Sequence, residues 1–193
     1  MRRLILFRHA KAVRRASGGD DAARPLDPAG RIDASLSGRW MSARGIAPDV
    51  VLASPSARTL ETWERVGRFF PDARLEVRDG LYDAQAEDIE AEIGTVAGEA
   101  DVVLVIGHNP GVQELAVKLL SEGGAGASEV ETVAAGFPTS TLALFEISAD
   151  GRARMSSFFN PRRDAPPPFI ETWDEGTDDA PGEGGDEGAG EPA

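Results

Sequence analysis

The chain has 193 residues, 41% of them hydrophobic and 27% charged, enough for one domain with a substantial core. It has no cysteine and two histidines, which excludes a disulfide framework, thiolate catalysis and Cys-based metal sites and leaves little for a His-rich metal centre. Its net charge of −13 is uneven: Asp164 to Ala193 holds ten acidic and no basic residues (−10), while the rest holds all 20 basic and 23 of the 33 acidic ones (−3), so nucleic acid is not an expected partner.

The chain opens MRRLILFRHAKA. Leu4 to Phe7 is too short for a signal peptide, which needs about 7–15 apolar residues. No segment approaches the ~18 apolar residues of a membrane span. A soluble cytoplasmic protein without membrane contact is therefore expected. LILF has the length of a buried strand and runs into Arg8-His9. Residues 11–26 are polar and irregular, a loop. Asp27-Pro28 is an N-cap followed by Pro at the first helical position, and Ile32, Leu36 and Trp40 give that helix an apolar face closed by Gly45. DVVLA (49–53) is a second strand. Ser54-Pro55 repeats the cap-plus-Pro pattern, with Leu60, Trp63 and Phe70 as a helical face. LEV (75–77) is a short strand, and Ile89, Ile93 and Val96 mark a further helix. DVVLVI (101–106) is a strand with His108 just beyond it. Pro110 starts a helix carrying Val112, Leu115, Ala116 and Leu119. EGGAGAS (122–128) lacks the Gly-Lys-Ser/Thr ending of a phosphate loop and reads as a flexible loop. TLALFEI (141–147) and RARMSSFF (152–159) form a hairpin around Asp150-Gly151.

Strand–helix alternation predicts a three-layer α/β/α sandwich with a mostly parallel central sheet. Residues 1–163 form that domain. Residues 164–193 are rich in Pro, Gly and acid and read as a disordered tail, with Phe169, Ile170 and Trp173 as its apolar exceptions. Those three either pack on the domain edge, stay in solvent or dock a partner.

Ligands of such sheets bind beyond the carboxyl ends of the strands. Three segments reach that rim: Arg8-His9, Ser54-Pro55-Ser56-Ala57-Arg58, and Gly107-His108-Asn109-Pro110. An arginine in a helix's first turn is slightly unfavourable, because that end is already positive. Arg58 and the helix start would both suit an anion placed between them, and so would His108 with the next helix. The pattern points to a phosphate pocket.

LFRHAKA, RPLDPAG, ASPSARTLET and VIGHNPG together resemble the histidine phosphatase (phosphoglycerate-mutase-like) superfamily over about residues 1–160, most closely its small phosphohistidine phosphatase (SixA) branch. The resemblance implies that His9 is the nucleophile taking the phosphoryl group. It implies that Arg8 and Arg58 hold its oxygens and that His108 donates to them, with backbone N–H groups near Asn109 adding to the cradle. No metal or cofactor is implied. Phosphoryl transfer spreads charge over three oxygens, so catalysis rests on positioning and electrostatics. Arginine's fork suits those oxygens, and a neutral histidine can attack phosphorus. Nearby cations should keep His9 neutral.

The family's proton donor is a carboxylate after the third strand. Here Asp83, Asp79 and Glu87 are the candidates, in that order, and an imidazole leaving group needs such help less than an alkoxide. Arg24, in the shared RPL segment, and Lys11 could rim the site or be ordinary surface charges. Ala10 stands where many members have Gly. The chain also lacks the insertions that build a mutase cap, which leaves a small, open site suited to a phosphate on a protein surface. The expected function is a metal-independent phosphatase working through a phosphohistidine intermediate, with a phosphohistidine-bearing protein as favoured partner. Small phosphomonoesters are the alternative. A third reading is a non-catalytic phosphate-binding adaptor whose acidic tail recruits partners.

Overall fold

The computed structural model describes residues 1–16 and 18–165. Phe169, Ile170, Trp173 and the expected tail beyond residue 165 lie outside the described residues. The strands are β1 (Arg3–Arg8), β2 (Val50–Ala53), β3 (Arg74–Val77), β4 (Val102–Gly107), β5 (Leu142–Ile147) and β6 (Ala153–Phe159). The helices are α1 (Pro28–Ser42), α2 (Ala57–Gly67), α3 (Ala86–Val96), α4 (Gly111–Glu122), α5 (Ala127–Ala135) and the short α6 (Pro161–Asp164). Among the described residues no helix is long and apolar enough to cross a membrane.

The strands form one sheet in the order β3-β2-β4-β1-β5-β6. β3, β2, β4 and β1 pair in parallel, whereas β5 runs antiparallel to both β1 and β6. The apolar strands are continuous in sequence because both sheet faces are covered, yet they divide residue by residue. Leu4, Leu6, Val50, Leu52, Val103 and Val105 face one core, with residues of α3, α4 and α5. Ile5, Phe7, Val51, Ala53, Leu104 and Ile106 face the other, with residues of α1 and α2. This is the period-2 alternation of a strand, and the result is the expected three-layer sandwich.

Phe70, expected on the helical face with Leu60 and Trp63, lies beyond the end of α2 at Gly67, and local structure departs from the sequence reading in four further places. Asp27 does cap α1, accepting from Gly30 N–H at 2.7 Å, but the buried face of the helix is not Ile32-Leu36-Trp40. It comprises Gly30, Asp33, Ala34, Leu36, Ser37, Gly38 and Met41, and Ile32 is exposed. Small residues win there because neighbours come close: a Cβ at Gly38 would lie 2.8 Å from the Phe69 ring, and one at Gly30 would lie 2.0 Å from the Lys11 carbonyl oxygen. Second, α2 is capped by Ser56 rather than Ser54. Ser54 still extends the strand, donating its N–H to Ile106 O at 3.2 Å, and the residue before a proline is disfavoured from helical geometry. Third, α4 begins at Gly111, with Pro110 as its cap. Fourth, the glycine-rich stretch is a loop only to Gly126, after which α5 starts. Val133 alone is buried in α5, so its sequence shows little amphipathic period. The hairpin forms as expected, with Gly151 at φ 82° in its turn.

Candidate active site

Strand register builds the site. Arg8 at the end of β1 pairs with Gly107 at the end of β4, and Ala53 at the end of β2 pairs with Ile106. The next residues of the three strands, His9, His108 and Ser54, therefore emerge side by side on the carboxyl rim. His9 N–H donates to Gly107 O at 3.0 Å, which carries the β1–β4 ladder one step beyond the strands. The two imidazole centroids are 5.1 Å apart.

His9 is buried, and its Nδ1 lies 2.7 Å from the Ala10 carbonyl oxygen. A carbonyl only accepts, so Nδ1 carries the proton of the neutral ring and Nε2 keeps its lone pair. Burial pulls the His9 pKa down to about 3; the Ala10 bond opposes this, and the charges of His108, Arg58 and Arg8 add to it. The cations expected to keep His9 neutral do so, but burial is the larger cause. The rest of this turn is pinned as well. Ala10 N–H donates to Thr62 Oγ1 at 3.0 Å, and that hydroxyl donates to Arg58 O at 2.6 Å. One threonine thus ties the peptide after His9 to the backbone of Arg58.

Arg58, in the first turn of α2, is 4% exposed. Its Nη1 donates to Asp21 O at 2.8 Å, and its Nη2 lies 3.3 Å from His108 Nδ1 and 3.1 Å from Asp21 Oδ2. A guanidinium only donates, so His108 Nδ1 is an acceptor. The ring proton is then on Nε2, 2.8 Å from Ser54 Oγ. Burial, with Arg58 next, lowers the His108 pKa to about 4. Both histidines are neutral at pH 7.

Arg8 sends Nη1 to Phe137 O at 2.7 Å, and burial lowers its pKa. Among the described residues, Arg8 Nε and Arg58 Nε are buried with no hydrogen-bond partner. Buried donors without partners are costly, and on two guanidinium groups they are donors suited to an oxyanion. Asn109 also belongs to this rim. Its Nδ2 donates to Gln113 Oε1 at 2.8 Å and Phe137 O at 3.2 Å, and its Oδ1 is buried without a partner.

The loop that reads as featureless in sequence supplies a residue the motifs do not mark. The Asp21 carboxylate meets Arg58, accepts from Arg24 Nε at 2.8 Å and accepts from Tyr82 OH at 3.0 Å. Burial alone would raise its pKa, but bonds from Arg24 and Tyr82 and the nearby arginine charges lower it overall. The Tyr82 ring packs edge-on against His108, with centroids 5.6 Å apart. Arg24 thus reaches the site through Asp21, and its Nη1 also holds Val13 O at 3.0 Å. Lys11 instead pairs with Asp27 at 2.8 Å and is exposed.

Asp79, Asp83 and Glu87 are all exposed. None of them makes a hydrogen bond or ion pair to Arg8, His9, Arg58 or His108 among the described residues. Asp83, at φ 52°, directly follows Tyr82 and is the nearest of the three along the chain to a residue touching His108. No group of three or more His, Cys, Asp or Glu placed to hold a metal ion occurs among the described residues. Chemically, the site offers a buried neutral imidazole with an available nitrogen, flanked by two guanidinium groups with unused donors.

The chain is similar in sequence and fold to known proteins. The model of the histidine phosphatase superfamily (branch 1) matches residues 4–102. A protein of Mycobacterium tuberculosis known only as uncharacterized is 35% identical over 162 residues, covering 81% of this chain and all of its own. A structure from Agrobacterium tumefaciens, provisionally assigned as the phosphohistidine phosphatase SixA, is 30% identical with a TM-score of 0.73, covering 83% of this chain and 98% of its own. The protein histidine phosphatase SixA complexed with tungstate shares the fold at 24% identity and a TM-score of 0.69, covering 83% of this chain and 98% of that one.

Proposed function

This chain belongs to the histidine phosphatase superfamily, and from that premise we propose that it is a phosphatase acting through a phosphoryl group carried on His9, with phosphohistidine on a protein as its substrate. The observation that carries the reading is the buried, neutral His9 beside two arginines whose Nε–H groups have no partner. Tungstate is a tetrahedral oxyanion, and its binding to the SixA relative is consistent with a site of this kind.

Each residue then has a task. Arg8 and Arg58 receive the phosphoryl oxygens. The lone pair on His9 Nε2 forms the N–P bond as the bond to the leaving group breaks with its electron pair. The proton stays on Nδ1, donated to the Ala10 carbonyl oxygen, and that bond supports the positive charge developing on the ring. Water then attacks phosphorus, the N–P electrons return to Nε2 and inorganic phosphate departs. To donate to a phosphoryl oxygen, His108 must take up a proton on Nδ1, the atom that accepts from Arg58. An arriving dianion favours that protonation, because an opposite charge nearby stabilises the imidazolium.

The favoured leaving group follows from the acids. Asp21 is the carboxylate that touches Arg58, and its lowered pKa keeps it ionised at neutral pH. A phosphohistidine ring protonated on its far nitrogen leaves as neutral imidazole and needs no carboxylic acid, whereas an alkoxide does. The test is hydrolysis of a phosphohistidine-bearing protein beside p-nitrophenyl phosphate. Turnover of the phosphoprotein, with weak turnover of the ester, is expected. Turnover of the ester alone would favour a small phosphomonoester substrate, and turnover of neither would leave the adaptor reading.

A further inference from the structure

A second concavity lies on α1, away from the residues of the rim. Its volume is about 200 Å³, and Leu36, Arg39, Trp40, Arg44, Phe159 and Ala165 are among the residues lining it. Its floor is aromatic: Trp40 stacks on Phe159 with centroids 4.5 Å apart and planes 16° from parallel. The Arg44 guanidinium carbon sits 4.3 Å from the Trp40 ring centroid. The space is below the roughly 300–1,000 Å³ usual for small-molecule sites and is of a size for one large side chain.

The chain itself brings a candidate to this pocket. Asp164 and Ala165 line it, and the residues that follow are PPPFIETWDE. Phe169 is four residues beyond Ala165, within about 12–14 Å along an extended or polyproline-like chain. Three consecutive prolines limit the conformational freedom that the connection would lose on docking. The apolar residues Phe169, Ile170 and Trp173 are interleaved and followed by Glu171, Asp174 and Glu175, which complement Arg39 and Arg44 on the pocket wall. A tether this short gives an effective concentration in the millimolar range, so modest affinity suffices.

We propose that residues 169–173 of this chain dock into the pocket floored by the stacked Trp40 and Phe159, with an aromatic side chain inserted and the acids facing Arg39 and Arg44. This interaction surface is independent of the phosphatase reading and would strap the start of the acidic segment to α1.

The absence of cysteine makes a direct test available in the full chain. A nitroxide on Thr172→Cys is expected to broaden the Trp40 indole and Ala43 amide NMR signals to less than half their intensity. A nitroxide on Gly190→Cys should leave them sharp. Phe169→Ala combined with Trp173→Ala should restore the signals, and Arg44→Glu should restore them in part. Sharp signals with the label at 172, or broadening that survives loss of both aromatics, would overturn the proposal. So would broadening when nitroxide-labelled chain is mixed with isotope-labelled, nitroxide-free chain, since the segment would then sit on another copy.

Discussion

Lowering the pH from 7 to 5 is expected to remove about 4 kcal/mol of folding stability through His9 and His108. These are the chain's two histidines. In the unfolded chain each titrates near 6.5, whereas the native values are about 3 and about 4. Between those limits the unfolded state binds protons that the native state refuses. The stability that depends on neutral imidazoles is therefore present above pH 6.5 and is lost as the pH falls below it. From pH 7 to 5, each histidine accounts for about 1.9 kcal/mol by proton linkage. Asp33 acts in the opposite sense: burial raises its pKa against the opposing ion pair with Arg162, so acid relieves a penalty there. Urea unfolding of the wild type, His9→Asn and His108→Asn at both pH values checks the sum, and each variant should show about half the wild-type pH effect. A wild-type stability that is flat across this interval, or variants that keep the full effect, would refute the claim that both imidazoles are held neutral.

Three further outcomes follow from the contacts. Arg58→Ala removes the guanidinium proposed to hold the phosphoryl oxygens and the hydrogen bond to His108 Nδ1, so kcat/KM is expected to fall about 10²–10³-fold; a loss below about tenfold in steady-state assays would count against its role. Asp21→Asn removes the carboxylate that competes for Arg58 Nη2. Vanadate inhibition should tighten about fivefold, the scale of a half-exposed ion pair, and an unchanged inhibition constant would show that Asp21 does not compete with the ligand. Thr62→Val leaves the buried Ala10 N–H and the Arg58 carbonyl without their hydroxyl partner. A loss of about 1–3 kcal/mol in denaturant unfolding is expected, and neutrality would mean that the turn after His9 does not depend on that link.

How far the sequence could be read depended on the range of each signal. Strands such as LILF and DVVLVI stand out because burial on both faces leaves them continuously apolar. That same continuity conceals which residue faces which core. The buried face of α1 was hidden because close packing selects Gly30 and Gly38, while Asp33 is buried against Arg162, 129 positions away. Arg8, His9, Arg58 and His108 were legible because each ends or immediately follows a strand or lies in the first turn of a helix. Asp21 was not, since its partners Arg58 and Tyr82 lie 37 and 61 positions distant and no periodicity links them. Ser54 looked like a helix cap, and only strand register reveals it as the partner of His108 Nε2. The tautomer of His9 depends on a single carbonyl contact that no residue pattern encodes.

The central claim is that His9 Nε2 carries the phosphoryl group. Rapid quenching during turnover of a phosphohistidine-bearing protein, followed by mass spectrometry under alkaline conditions that preserve the P–N bond, tests it directly. A phosphoryl group is expected on the peptide containing His9, absent in His9→Ala together with turnover. Turnover by His9→Ala equal to wild type, or a phosphoryl group found on another residue, would contradict it.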